Sequence, residues 1–538
     1  HLALAEICWT AARACSPLVL LLEDLHWMSA GIEPLKILTR GLAGLPLLVI
    51  GTYSSEERPD MPAECATMTP LHLGPLAPGS IAELALSMLG AAGARPQVLD
   101  LLQRETEGNA LFLVETVRTL AEKAGRLQEV ADIPLPATIF PGGVRQIIRR
   151  RLARVQASHR ALLKTAAVAG RTLDLEVLHA VDPHVPLETW LADCANVAVL
   201  EAREGAWRFS HDRLRTELAG ELAAGERRRL HRQVAEAYEQ VHPGDPSYAA
   251  VLAAHWEAAG ESDAGPWREK TARYARIAGE YAAAQYATAD AVRFLSKALA
   301  LTPESDEAGR YELYLAREQV YDRQGKREAQ AADLAQLEAL ARSAAQRCEI
   351  ALRTGAYHNQ VGEYDAALAA SEQAHRWAAK GEDRAGQSQA LIIGGQALMQ
   401  KGVYGQARER CQRAAEIAGA AAAAIQLARA RSILGKVAHR RGDYPAARRQ
   451  HEEALRLQQE IDDRPGQVLS LRHLGEVANA QADYEAARSN YLAALKLARQ
   501  IGDRPQEGQI LLDLAEIDWR QGAYGRAASS LGESLALA

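Results

Sequence analysis

The sequence predicts a mostly α-helical chain: an open α/β unit at the N-terminus, a small helical domain closed by a β-hairpin, and a long α-solenoid. Three observations carry this. Two uninterrupted apolar runs, PLVLLL at 17–22 and PLLVIGT at 46–52, flank a helical pattern; an arginine-rich helical stretch leads into a short hairpin pattern near 198–210; and a 40-residue period governs 345–538. At 538 residues the chain needs several cores, because one core rarely grows past roughly 250–300 residues. Hydrophobic residues make up 48% but aromatics only 5%, and the abundance of alanine suits closely packed helices, since small side chains let helix axes approach.

Composition excludes several classes of function. A net charge of -6, from 62 basic and 68 acidic residues, gives no global field for nucleic acid or anionic lipid, so any such site is local. The six cysteines (Cys8, Cys15, Cys65, Cys194, Cys348, Cys411) lack metal-ligand or redox spacing and are expected to be buried small hydrophobes in a reducing cytosol. No apolar stretch approaches the ~18 residues of a membrane span and no signal peptide opens the chain, so no membrane contact and a cytoplasmic location are expected. The chain begins at His1 rather than Met and ends at Ala538 inside an amphipathic pattern, which is expected of a piece of a longer protein at both ends.

Taken in order, the two N-terminal runs read as buried parallel strands joined by a helix over Ile32 to Leu42, a β-α-β unit. Ligands of such sheets sit at the carboxyl ends of the strands, where Glu23, Asp24 and Thr52 fall. A carboxylate pair there can hold Mg²⁺ through water and orient a water for phosphoryl transfer, or can simply end a strand.

Residues Val144 to Ala169 carry an amphipathic helical pattern dense in arginine (Arg145, Arg149, Arg150, Arg151, Arg154), followed by further helix and a hairpin of Ala198 to Glu201 and Trp207 to Ser210. That is a winged-helix layout. Its arginines could meet DNA phosphate, but acidic residues follow closely, so a solvated or interdomain face is preferred and DNA is disfavoured. His211 and Asp212 suit a capping role better than catalysis. The predicted divisions are 1–125, 126–225, 226–344 (a helical linker with degenerate repeats) and 345–538.

In the last division Gly-x-Tyr recurs at Gly362/Tyr364, Gly402/Tyr404, Gly442/Tyr444 and Gly522/Tyr524, with Ala482/Tyr484 in the remaining slot. Nine positions before each tyrosine stand Gly355, Gly395, Gly435, Gly475 and Ala515; three after stand Ala367, Ala407, Ala447, Ala487 and Ala527; ten after stand Ala374, Ala414, Ala454, Ala494 and Ser534. This spacing puts one small residue on a first helix and two on one face of a second, with Gly-x-Tyr as the turn. Asp-Arg pairs at Asp383, Asp463 and Asp503 mark the links between hairpins, and proline after two of them is expected to stop a helix. The link at Ala421 to Ala424 is expected to run on as longer helix. Asp290 to Leu301 and Gln324 to Leu340 read as second helices of degenerate units. Stacked hairpins bury what one hairpin cannot, with first helices lining a concave surface that binds a protein or peptide. Positions one, four and five after each first-helix glycine are expected to face that groove: Lys436, His439, Arg440, Glu476, Asn479, Glu516, Trp519 and Arg520. A solvated face with no specific ligand is the alternative.

The small-residue framework over about 345–538 resembles the tetratricopeptide repeat in a 40-residue form. The strings LLLEDLHW, IGTYSSEE, LHLGPL and EGNALFLVE, in that order, resemble the signal-transduction ATPases with numerous domains, the STAND class. That resemblance implies a truncated P-loop module, then a winged-helix domain, then a sensor array. It makes Asp24 the water-activating residue, Glu23 and Asp24 the Mg²⁺-side carboxylates, and Pro75 the contact near adenine, with Thr52 on the sensor strand. The slot that holds arginine in relatives is Ser54 here, and Ser29 and Ala110 also depart from the pattern. No G-x-x-x-x-G-K-[ST] loop occurs in the 538 residues; it is expected upstream. ATP and Mg²⁺ are therefore expected in an intact parent and no cofactor in this piece, which is not catalytic alone. The resemblance further implies a kinase, cyclase or DNA-binding output domain in the parent. A scaffold with an inactive remnant, a DNA-binding regulator, and oligomerisation stay open.

Overall fold

The computed structural model describes residues 2–14, 17–23, 25, 32–42, 44–53, 58, 60–106, 108, 110, 113–114, 116–118, 120, 149, 151–203, 205–260 and 265–537. The chain is mostly helical and divides into two compact units, His1–Leu301 and Thr302–Ala538.

The first unit opens with α1 (Leu2–Ala14), β1 (Leu18–Leu22), α2 (Glu33–Arg40) and β2 (Leu47–Gly51). The strands pair in parallel, Leu18 opposite Leu47 through Leu22 opposite Gly51, as the apolar runs predicted. Leu25, Ile32, Leu35, Met61 and Cys65 form a core under one sheet face. The expectation that both faces are buried is corrected: Val19, Leu21, Leu48 and Ile50 on the other face are 42–57% exposed. An unbroken apolar run does not say which of its two faces is covered. After α3 (Met61–Glu64), α4 (Pro78–Leu89) and α5 (Pro96–Thr106) pack Ile81, Ala85, Leu89, Val98 and Leu102 into a separate helical core.

Next come α6 (Arg160–Ala169), β3 (Thr172–Leu173), α7 (Leu175–Val181), α8 (Leu187–Asn196), β4 (Leu200–Arg203), β5 (Ala206–Phe209) and α9 (Asp212–Gly220). The stretch read as continuous helix up to Ala169 instead breaks at Val155–Gln156 before a 3-10 turn at Ala157–His159. Asp193 causes the break, accepting from the Gln156 backbone N–H and from His159, both at 2.9 Å. The hairpin is present but its first strand starts at Leu200, turning at Gly205 with φ 80; β3 adds a third antiparallel strand against β5. Trp190, fully buried and donating to the His159 carbonyl at 3.1 Å, anchors this core with Phe209 and Leu178. Then α10 (Ala224–Val241), α11 (Ala249–Ala258), α12 (Pro266–Ala284) and α13 (Thr288–Leu301) complete the unit.

The second unit is a series of antiparallel hairpins. The pairs are α14 (Glu307–Gln324) with α15 (Arg327–Leu340), α16 (Ala344–Val361) with α17 (Tyr364–Lys380), and α18 (Arg384–Gln400) with α19 (Tyr404–Ala420). They continue with α20 (Ala424–Arg440) and α21 (Tyr444–Glu460), α22 (Arg464–Ala480) and α23 (Tyr484–Ile501), and α24 (Arg504–Arg520) and α25 (Tyr524–Leu537). Gln324 ends α14 rather than opening α15, because Gly325 at φ 68 turns the chain there. The predicted small positions are the contact points: Ala367, Ala407, Ala447, Ala487, Ala374, Ala414, Ala454 and Ala494 are all 0% exposed. A Cβ on Gly435 would meet the His451 ring at 2.6 Å, and one on Gly475 the Tyr491 ring at 2.5 Å. These glycines thus make room for a bulky residue seven positions after each tyrosine, a relation that side-chain volume imposes.

Each hairpin turn has a left-handed residue closing the first helix, Gly402 at φ 78 and Gly442 at φ 76 among them, with the N–H of the following residue reaching the carbonyl five residues before it. Where the Asp-Arg pairs at Asp463 and Asp503 precede proline, that proline sits in the first turn of α22 and α24 respectively and so starts helices; the expectation that it stops them is corrected. The link at Ala421 to Ala424 is likewise no longer helix. Ala422 takes φ 51, the Ala423 N–H bonds to the Ala418 carbonyl at 2.9 Å, and a new helix starts at Ala424. Packing of the hairpins imposes the turn on a segment with no local turn signal. Ala422→Gly with Ala423→Asp is therefore expected to stabilise the chain by about 1–2 kcal/mol, by relieving the left-handed alanine and capping α20 as Asp463 caps α22. The urea midpoint of the second unit reads it, and an unchanged midpoint would show that the turn is unstrained.

Among the described residues, Cys65, Cys194, Cys348 and Cys411 are buried free thiols and Cys8 is partly buried; Cys15 lies outside them. Burial pushes the Cys194 and Cys411 thiols up to about 12. No described helix is long and apolar enough to cross a membrane.

Candidate partner groove and strand-end site

Successive first helices α16, α18, α20, α22 and α24 pack on one another, whereas second helices do not do so comparably. The closer spacing puts the first helices on the inner side of the array. On that side the predicted residues fall into three environments. Lys436 is partly buried, and burial lowers its pKa. His439 lies beside it, its ring 5.7 Å from that of Tyr444; burial and then Arg440 lower its pKa. Arg440 is exposed. One helix on, Glu476 accepts from Arg472 at 3.1 Å, and burial raises its pKa despite that arginine. The Oδ1 of Asn479 is buried with no hydrogen-bond partner. On α24, Glu516 and Arg520 pair at 2.6 Å, and Trp519 is 64% exposed.

Positions two and three before the small residue escaped the sequence reading. Arg472 Nε bonds Asp513 Oδ2 at 2.6 Å, tying α22 to α24. His451 and His473 stack at 5.0 Å between centroids, and neither buried Nδ1 has a partner. The available signal was helical geometry: Arg472 is one turn before Glu476 and so shares its face.

At the strand ends, the Thr52 N–H bonds to the Leu22 carbonyl at 2.8 Å, bringing Thr52 beside the start of the segment that holds Glu23. Glu23 forms an ion pair with Arg203 of β4 at 3.0 Å. Pro75 lies against Gly108: the Leu76 N–H bonds to the Gly108 carbonyl at 2.7 Å, and a Cβ on Gly108 would stand 2.9 Å from the Pro75 Cβ. The last two strings of the N-terminal pattern thus meet in space. Asp24 and Ser54 lie outside the described residues. Among the described residues no group of three or more His, Cys, Asp or Glu side chains is placed to hold a metal ion. Of the arginine cluster, Arg149 pairs with Glu221 at 2.7 Å and Arg151 donates to the Ala198 carbonyl at 3.0 Å, while Arg145 and Arg150 lie outside the described residues. Asp212 pairs with Arg215 at 2.8 Å at the start of α9, and the His211 side chain makes no cap hydrogen bond there.

The tetratricopeptide repeat family model matches residues 467–538, so the end of the chain carries tetratricopeptide repeats. No curated protein matches the chain. Among solved structures, it is similar to a STAND protein with a tetratricopeptide repeat sensor from Pyrococcus horikoshii, at 15% identity over 96% of this chain and 80% of that one, with a TM-score of 0.39. It is also similar to aspartyl phosphate phosphatase F from Bacillus subtilis, at 12% identity over 58% of this chain and 89% of that one, with a TM-score of 0.41. A third is yeast Tom70, at 12% identity over 86% of this chain and 85% of that one, with a TM-score of 0.37.

Proposed function

We propose that the chain is the regulatory part of a signal-transduction protein, in which the repeat array binds a protein or peptide along its first-helix face and a nucleotide-dependent switch governs that binding. The observation that carries the partner-binding part is the array itself: stacked hairpins present a long face on which Trp519 is exposed and Asn479 partly so, its buried carboxamide oxygen unpaired. Solenoid surfaces of this kind bind extended segments.

The switch reading draws support from Glu23 and Thr52 at the carboxyl ends of paired parallel strands, and from Pro75 against Gly108. In it, ATP and Mg²⁺ bind the intact protein through a phosphate loop supplied upstream, Glu23 stands on the Mg²⁺ side and Asp24 activates water. The helices and three-stranded sheet around Trp190 serve as a winged-helix coupling domain. A ligand moves such a switch only by binding one arrangement better than the other. The Arg203–Glu23 ion pair favours a second reading, a partner-binding scaffold whose α/β unit is structural, because it occupies the carboxylate that Mg²⁺ would need.

Selection of short random peptides on the chain is expected to yield binders that lose about tenfold in affinity in Trp519→Ala or Asn479→Ala. Binders indifferent to both, or none at all, would remove the groove from the account. Calorimetry with ATP and Mg²⁺ on protein carrying its natural upstream sequence, beside Asp24→Asn, separates the two readings: absence of nucleotide binding leaves the scaffold.

A further inference from the structure

Several cations of the array tie one hairpin to the next through carboxylates. Arg353 pairs with Glu318 at 2.9 Å, Arg410 with Glu372 at 2.9 Å and Arg472 with Asp513 at 2.6 Å, each linking one hairpin to the next. Helix α20 has no such tie. Among the described residues, Arg429, Arg431, Lys436 and Arg440, with Arg441 just beyond, have no ion pair. The helix contains no acidic residue from Ala424 to Arg440, and neither does the adjacent first helix from Arg384 to Gln400. Arg429 and Arg431 reach only the amide oxygens of Gln389, at 3.4 Å, and Gln450, at 3.2 Å.

Lys436 is the least provided for. It is partly buried, yet its ammonium makes no hydrogen bond among the described residues. The nearby carboxylate, Glu476, is already held by Arg472, which Asp513 holds in turn. Beside Lys436 stand the stacked rings of His451 and His473, with two unpartnered nitrogens. An ammonium that gives up part of its water without a counterion costs free energy that an incoming anion would recover. The next two first helices add carboxylates to the face, Glu476, Asp513 and Glu516, interleaved with Arg472 and Arg520.

We infer that the inner face of α20 is the seat of an acidic peptide segment of a partner protein, one carboxylate of which pairs with Lys436 and a second with Arg440. The inference rests on the groove reading and adds the chemistry of its occupant. A peptide is preferred to a nucleic acid because the cationic stretch spans one helix and runs into carboxylates on α22 and α24, which would repel a continuous polyanion but not a segment with separated charges.

The test uses the full chain and three labelled probes followed by fluorescence anisotropy: a peptide alternating glutamate with alanine, its glutamine counterpart and its lysine counterpart. The glutamate peptide is expected to bind most tightly, to weaken about tenfold in Lys436→Met and further in Lys436→Glu, and to weaken as salt rises from about 50 to 200 mM. Lys436→Met keeps the length of the side chain while removing a poorly solvated charge, so it should fold. Arg440→Ala, on an exposed residue, gives an independent second variant. Equal binding of the glutamine or lysine peptide, or indifference to both variants, would overturn the acidic assignment. Randomly selected binders that depend on Trp519 but carry no acidic bias would overturn it while leaving the groove reading intact; absence of any peptide binding would overturn both. A DNA duplex that binds as tightly, with the same loss in Lys436→Met, would replace the peptide with a polyanion.

Discussion

The Asp333→Ala chain is expected to lose about 3–5 kcal/mol of stability in the repeat unit, the effect of stripping one partner from a buried ion pair. Asp333 is almost wholly buried on α15, its side chain 3% exposed, and meets Arg317 of α14 through two bonds, Nε to Oδ2 at 2.9 Å and Nη2 to Oδ1 at 2.6 Å. The same guanidinium lies over the rings of Tyr314 and Tyr321 at 5.5 and 5.6 Å and its side chain is only 17% exposed, so water replaces the lost carboxylate poorly. Next to it Glu318, 2% exposed, ties Gln330 at 2.8 Å and Arg353 of the following hairpin at 2.9 Å. A hairpin stacks only on its neighbours, so loosening α14 and α15 also weakens the hold on α16. Urea unfolding followed by circular dichroism reads the change. The expected contrast is Arg317→Met with Asp333→Leu, which removes both charges and recovers most of the loss. A cost below about 1 kcal/mol for the single substitution would mean that the pair is screened like a surface one.

Acid is expected to destabilise both units well above the pH at which carboxylates protonate. Burial pushes His255 down to about 4 and His451 to about 3, with His231 and Lys436 respectively adding repulsion. Burial likewise lowers His231 to about 4 and holds His473 well below its ordinary value. A histidine whose folded pKa lies below its unfolded value of about 6.5 binds fewer protons folded than unfolded, so its stabilisation is complete above that pH and declines as pH falls toward the folded value. For His255 and His451 the loss by pH 4.5 is roughly 2–3 kcal/mol each.

The geometry agrees with the sign. His231 and His255 face each other Nδ1 to Nδ1 at 2.9 Å, a distance that accommodates one proton and not two. His451 and His473 stack beside the ammonium of Lys436. Glu476 works in the opposite sense, since burial raises its pKa and acid relieves it. Calorimetric scans between pH 7.5 and 4.5 should show a falling melting temperature, and His473→Gln should flatten the acid limb of the repeat unit. A melting temperature level from pH 6.5 to 4.5, or an acid limb unaffected by His473→Gln, would mean that these rings reach water.

Much of the architecture was legible in the residues. The 40-residue period located the hairpins, because small residues at spacings of twelve and seven can meet only if two helices pack antiparallel, and Ala447, Ala454 and Gly435 do meet in that way. The parallel β-α-β unit followed from two apolar runs with a helical pattern between them, which Leu18 opposite Leu47 bears out. Such features are local, since backbone geometry repeats every few residues and leaves its period in the chain.

What the tertiary structure alone decided are the encounters between distant residues. Ala421 to Ala424 turns because the helices on either side must pack, not because alanine favours a turn. The covered face of β1 and β2 depends on what lies over it, which the apolar run does not encode. Arg203 meets Glu23 across 180 residues, His255 meets His231 across 24, and Lys436 is left without an ion pair because Arg472 holds the nearby Glu476. An ion pair, or a missing one, is a property of the space that several elements enclose, and no stretch of sequence contains that space.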